Sequence, residues 1–166
     1  MTYIIAQIIG FISLGISLIA YHRKEKKSIM TNLVICNSLK IIHYLLLEAY
    51  SGCITKIIAI IRDITIILQE KHPKLSSNII LLFFSILYVV AAIFTYQGIL
   101  SIFSLVAALI YTIFIWNGDE LKIKKTAFFC YFLWLVYNIY ASSISEVISN
   151  ILGIVSTYIA IKNTNR

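Results

Sequence analysis

Proline is nearly missing from this chain, with Pro73 the single one among 166 residues. Away from that position, no ring interrupts a helix by removing a backbone donor. Charge is scarce too: Asp, Glu, Lys and Arg make up 13% of the residues, against about a quarter in soluble domains. Three cysteines, Cys36, Cys53 and Cys130, have no paired spacing. That excludes a disulfide framework and a zinc set, and they read as small apolar packing residues. His22, His43 and His72 fall in separate segments without metal-ligand spacing, so no metal or other cofactor is expected. A GxSxG elbow, a P-loop and paired mid-membrane carboxylates are all absent, leaving no nucleophile for an enzyme.

What the chain has is apolar length. Hydrophobic residues are 60% of it and its mean hydropathy is +0.92. So short a soluble chain has no core large enough to hide that surface, which makes the lipid bilayer its solvent. Its charge of +7 is confined to short breaks between apolar runs, a pattern of membrane orientation and not of nucleic-acid binding. The first run is followed, not preceded, by its basic residues (His22 to Lys27). It therefore reads as a retained helix, not a cleaved signal.

A spanning helix needs about 20 apolar residues. Seven stretches qualify: 3–21, 28–50, 51–69, 75–96, 98–116, 123–141 and 144–161. With no water at depth, each must be helical. Six spans, with two segments fused or one lying in the interface, is the alternative count. Alternate breaks carry Arg23, Lys24, Lys26 and Lys27; Lys71 and Lys74; Lys122, Lys124 and Lys125; and Lys162 with Arg166. The breaks around Gly52, Gln97 and Ser143 carry no Lys or Arg. Positive-inside then sets the N-terminus outside and the C-terminus in the cytoplasm. Tyr3, Tyr50, Tyr96 and Tyr140 fall at the outer boundary, and Tyr21, Trp116 and Tyr158 near the inner one, as an aromatic belt requires.

A shift of about 90 residues lays the first three spans over the last three, pairing Tyr50 with Tyr140 and Ile54 with Ile144. The expected architecture is a single all-α domain, a 3+1+3 bundle with parallel repeats at 1–70 and 98–162 and a linker helix at 75–96. Small-residue stripes, Ala6-Gly10-Ser13-Ser17 and Ser145-Ser149-Gly153-Ser156, read as close helix packing.

The costly residues mark the candidate site, because an ionisable group inside a membrane is a functional hypothesis by default. The second and third spans form a hairpin turning near Ser51, which puts Lys40 level with Arg62 and Asp63. These lie ten to twelve residues from the turn, near the midplane at about 1.5 Å per residue. Asn37, Lys40 and Tyr44 share one helical face. One reading is a structural ion pair of Asp63 with Lys40 or Arg62, which leaves one cation over. The other is a site for a small anionic or zwitterionic solute. His43 reads as a satisfied interior histidine or a proton relay, and Lys56, close to the turn, as a snorkelling anchor. Trp134, Asn138 and Asn150, with Tyr131 behind them, supply the second half's share, polar but uncharged.

The run His43-Tyr44-Leu45-Leu46-Leu47-Glu48-Ala49-Tyr50-Ser51-Gly52, followed by Ile61-Arg62-Asp63 and preceded by Gln7 and Gly10, resembles the YgjV-type bacterial inner membrane proteins. Glu48 departs from the small residue of that pattern. The resemblance implies a multi-pass protein of the bacterial cytoplasmic membrane and brings no activity with it. In plan alone, the 3+1+3 layout is similar to SWEET sugar facilitators and PnuC vitamin transporters, although Pro73 lies in a loop and leaves the SWEET proline hinges without a counterpart. The function expected is a small-solute transporter. A membrane scaffold or sensor binding partner helices is the alternative, and a homo-oligomer stays open.

Overall fold

The computed structural model describes residues 1–164, so Arg166 of the basic count lies outside the described residues. Seven helices form where seven spans are expected, and no strand occurs among the described residues. They are α1 (Thr2–Ala20), α2 (Lys26–Leu46), α3 (Tyr50–Leu68), α4 (Asn78–Phe94), α5 (Ile102–Trp116), α6 (Glu120–Tyr140) and α7 (Ile144–Thr164). Short 3₁₀ turns, Pro73–Ser76 and Ile99–Ser101, lead into α4 and α5. Caps follow the local chemistry: Ser77 Oγ accepts from the Ile79 amide and Asp119 from the Lys122 amide, each satisfying a donor that a helix start leaves open.

Four helical segments are long and apolar enough to cross a membrane: Thr2–Ala20, Lys26–Leu46, Ile99–Trp116 and Ile144–Thr164. α4 is apolar but shorter. The hydropathy of α3 is lowered by Lys56, Arg62 and Asp63, and that of α6 by lysines at its start and by Tyr, Trp and Asn further along.

The helices close into a ring. α1 packs on α2 and α2 on α3; α5 packs on α6 and α6 on α7; the contacts of α3 with α5 and of α7 with α1 complete it. α4 sits outside, against α3 and α5, and buries only Phe84 and Tyr88. Large apolar side chains such as Ile4, Ile61, Phe83, Phe129 and Ile148 point outward, while Ser13, Asn37, Arg62, Asp63, Asn138 and Glu146 are buried. An apolar exterior around a polar interior suits lipid and would fail in water.

The turns joining α2 to α3 and α6 to α7 have the same backbone. Glu48 and Ser142 take left-handed φ values of 57° and 52°. The amide of Ala49 bonds the Tyr44 carbonyl as the amide of Ser143 bonds that of Asn138, and Leu47 and Ala141 bond His43 and Tyr137 likewise. These positions lie 94 apart (142 less 48), and the matching starts of α2 with α6 and of α3 with α7 keep that register. The 90-residue pairing of Tyr50 with Tyr140 is thereby corrected, because Tyr50 opens α3 whereas Tyr140 closes α6. Ile-rich helices supply chance identities at many offsets.

The small stripes pack as expected. A Cβ on Gly10 would stand 2.0 Å from Ser145 Oγ, so α1 and α7 touch there. Two of the aromatics expected near the inner boundary turn into the protein: Tyr21 and Trp116 are buried. Tyr21 OH meets Tyr111 OH at 3.4 Å, and Trp116 Nε1 donates to the Ser76 carbonyl at 3.1 Å. Each polar tip has a hydrogen-bond partner within the protein.

Candidate functional site

The α2–α3 hairpin brings Asn37, and not the expected Lys40, against Asp63 (Nδ2 to Oδ2, 3.3 Å). Asp63 Oδ1 then receives Arg62 from both Nε and Nη2, at 2.9 and 2.7 Å. Residues adjacent in a helix do not normally face each other; here the long guanidinium arm curls back. Its Nη1 reaches out to Thr112 Oγ1 on α5 (2.8 Å) and Tyr88 OH on α4 (3.3 Å). Arg62 thus ties three helices together, and Tyr88 is how the outlying α4 gains a polar hold on the ring.

Lys40 does not join that cluster. Its Nζ pairs with Glu146 Oε2 at 2.7 Å, with both side chains almost wholly buried, and Ser13 Oγ donates to Oε1 of the same carboxylate at 3.2 Å. The expectation of a cation left over at Lys40 or Arg62, and of an uncharged second half, is overturned: α7 supplies the missing acid. Glu146 stands in the first turn of α7, where the helix dipole favours a carboxylate.

His43 lies at the same end and is fully buried. Nδ1 meets the Ala6 carbonyl and Nε2 meets Ser143 Oγ, both at 2.7 Å. A carbonyl only accepts, so Nδ1 carries the proton, and the neutral ring then takes the Ser143 hydroxyl at Nε2. Both nitrogens are satisfied, which fits the interior histidine of the sequence reading. The first turn of α7 is further capped by Gln7 Oε1 on the Ser145 amide (2.8 Å). In the first turn of α3, Tyr137 OH accepts from the Gly52 amide at 2.7 Å. Tyr44 OH donates to Asn138 Oδ1 at 2.7 Å, bonding α2 to α6.

Below this hydrogen-bonded collar lies a polar cavity of about 80 Å³. Of the expected site residues, Asn37, Lys40, Arg62, Trp134 and Asn150 line it. Asp63 and His43 do not; each is buried behind the wall, holding other residues in place. The lining also includes Lys56, Tyr131, Tyr111 and Glu146. Lys56 is the second correction. It turns inward with Nζ 3.6 Å from the centre of the Trp134 ring, a cation–π contact, and is no anchor at the rim. Periodicity carries a signal for both missed residues: Lys56 lies two turns from Asp63, and Glu146 one turn from Asn150, on shared faces.

A family model described as bacterial inner membrane protein, Imp-YgjV, matches residues 4–166. No curated protein and no solved structure matches the chain. The chain belongs to the Imp-YgjV family of bacterial inner membrane proteins.

Proposed function

We propose that this inner-membrane protein is a facilitator for a small solute, taken up in the cavity between helices α1 to α3 and α5 to α7, and not an enzyme. The observation that carries the reading is the cavity itself. Lys40, Lys56, Arg62 and Glu146 line it together with Trp134 and Asn150, where a purely structural bundle would be packed solid. A cavity of about 80 Å³ lined by such groups has room for ordered water or, in its place, a small polar solute.

In this reading the bundle is a 3+1+3 parallel repeat in the 94-residue register, with α4 as linker, the N-terminus outside and the lysine-rich breaks in the cytoplasm. Two features support it. The ring order maps onto itself when α1, α2 and α3 are exchanged for α5, α6 and α7, and the two turns share one backbone. Six of the cavity's lining positions on the first half recur on the second at that spacing, Ser17 with Tyr111 and Cys36 with Cys130 among them. A solute at such a cavity contacts both halves, so rocking one against the other exposes it to either side.

The competing scaffold reading draws on the two closed ion pairs, Lys40–Glu146 and Arg62–Asp63, which fasten helices whether or not anything binds. Filling the cavity separates the two. Ala59 and Ala127 line it and are buried, and Ala59→Leu or Ala127→Leu adds bulk without touching a charge. Uptake into proteoliposomes of at least one solute from a panel of labelled sugars, amino acids and small anions is expected for the native protein and lost in the filled variants, with helical content unchanged. Filled variants that match the native protein in every uptake assay, or a native protein that moves none of these solutes, would sink the facilitator. Membrane-impermeant labelling of single cysteines placed at Gln97 and Lys71 tests the orientation: only the first reacts from outside intact cells.

A further inference from the structure

We infer that Lys56 and Asn150 are the groups that hold the solute, and that the solute is a small, planar, monovalent oxyanion: a carboxylate, or an inorganic ion of the same shape. This rests on the proposed facilitator reading and narrows it to a ligand class.

Charge balance comes first. Three cations line the cavity, and two of them are paired: Lys40 with Glu146 and Arg62 with Asp63. Lys56 has no carboxylate within ion-pair distance among the described residues, and its neighbour is the face of Trp134. A ring quadrupole steadies an ammonium without neutralising it. With Lys56 protonated, the cavity has one positive charge in excess, which one monovalent anion balances. A dianion overshoots, and a neutral sugar leaves the charge as it was.

Unsatisfied donors come second. Asn150 is 2% exposed, lines the cavity, and its Nδ2 has no hydrogen-bond partner among the described residues. A buried amide without a partner is costly in a native interior, and an oxyanion is the partner that a second donor beside an ammonium calls for. Residues 56 and 150 also occupy the same position in the two halves (150 less 56 is 94). Both residues line the cavity, one on α3 and one on α7.

Shape comes third. In the same register Asn37 and Lys40 on α2 correspond to Tyr131 and Trp134 on α6, and all four line the cavity. One wall is polar and cationic, the other aromatic. A flat anion that turns its oxygens to the donors of one wall and to the positive ring edges of the other suits this slot, and about 80 Å³ admits only a few heavy atoms beside ordered water.

The test uses the full chain purified in detergent and titrated with sodium acetate, sodium nitrate, sodium sulfate and acetamide, the neutral isostere of acetate. Thermal protection and tryptophan emission are the readouts. Acetate or nitrate is expected to protect, with acetamide and sulfate at least tenfold weaker; the stronger of the two arms distinguishes an organic from an inorganic source. Lys56→Gln should weaken protection at least tenfold and Lys56→Arg should largely restore it, which shows that the effect is charge and not fold. Asn150→Leu should weaken it without altering helical content. Equal protection by acetamide, protection unchanged in Lys56→Gln, or none from either oxyanion overturns the assignment. Labelled uptake separates the two levels. Neutral-solute flux that Ala127→Leu abolishes, without any oxyanion effect, ends this inference and leaves the facilitator standing. Oxyanion binding at Lys56 with no flux does the reverse.

Discussion

Glu146→Gln removes the carboxylate that receives Lys40 at 2.7 Å and leaves an ammonium whose side chain is 8% exposed among helices. Breaking a buried ion pair by removing one partner costs about 3–5 kcal/mol, because the remaining charge has lost its solvent and its counter-ion together. For a chain of this size each kcal/mol moves the melting point by about 2–4 °C, so a fall of roughly 6–20 °C is expected. The reciprocal change should be milder. Lys40→Met leaves Glu146 with Ser13 Oγ at 3.2 Å and with Lys56 lining the same cavity, a loss nearer about 1–3 kcal/mol. Removing both charges in Lys40→Met/Glu146→Gln should recover most of the stability, since no orphan remains. A thiol-reactive dye suits the assay, because Cys36, Cys53 and Cys130 are all buried and react only as the bundle opens. Glu146→Gln melting within 2 °C of native, or the double variant melting below the single, would refute the argument.

Further expectations concern packing and turns. Gly10→Ala drives a methyl to 2.0 Å from Ser145 Oγ, whereas Gly15→Ala on the same helix meets nothing within 4 Å. The first should lower the melting point markedly, and the second should leave it level or raise it by the about 0.5–1 kcal/mol that alanine gains over glycine in a helix. Glu48→Gly and Ser142→Gly relieve left-handed backbone at φ 57° and 52° and should each stabilise by a net of about 0.5–1 kcal/mol once glycine's own entropy is counted; a loss at either site contradicts the shared turn. Tyr137→Phe withdraws the acceptor of the Gly52 amide and should cost about 1–3 kcal/mol in the same melting assay.

The helices were legible because each long apolar run ends in a polar break that lipid would not tolerate, and their ends shift by at most four residues from the expected ones. Glu48 turning left-handed ends α2 early, and Gly98 at φ 114° with its 3₁₀ turn delays α5. Depth within one hairpin was legible to about a helical turn: Asp63 meets Asn37, one turn along α2 from the Lys40 expected beside it. Partners across the ring were not. Glu146 follows two serines at a turn and looks like a rim residue until α7 is set beside α2. Lys56 has an arm long enough to reach either the rim or the centre, and only the presence of Trp134 opposite decides. The pairing of Tyr50 with Tyr140 leaned on isoleucine, which matches itself everywhere and so marks no position.

Lys40 and Glu146 are 106 residues apart in the chain, and this separation has a consequence for biogenesis. At about 5–20 residues per second, a ribosome needs roughly 5–20 s to deliver the carboxylate after the ammonium has been made. Arg62 and Asp63 leave together as neighbours and enter the membrane already matched. Lys40 enters alone, and α2 must wait at the insertion machinery, or at the edge of the bilayer with its lysine in headgroup water, until the last helix arrives. The closing step of assembly is thus the capture of a waiting charge, and a chain truncated before residue 146 should be left with a second helix that the membrane does not fully accept.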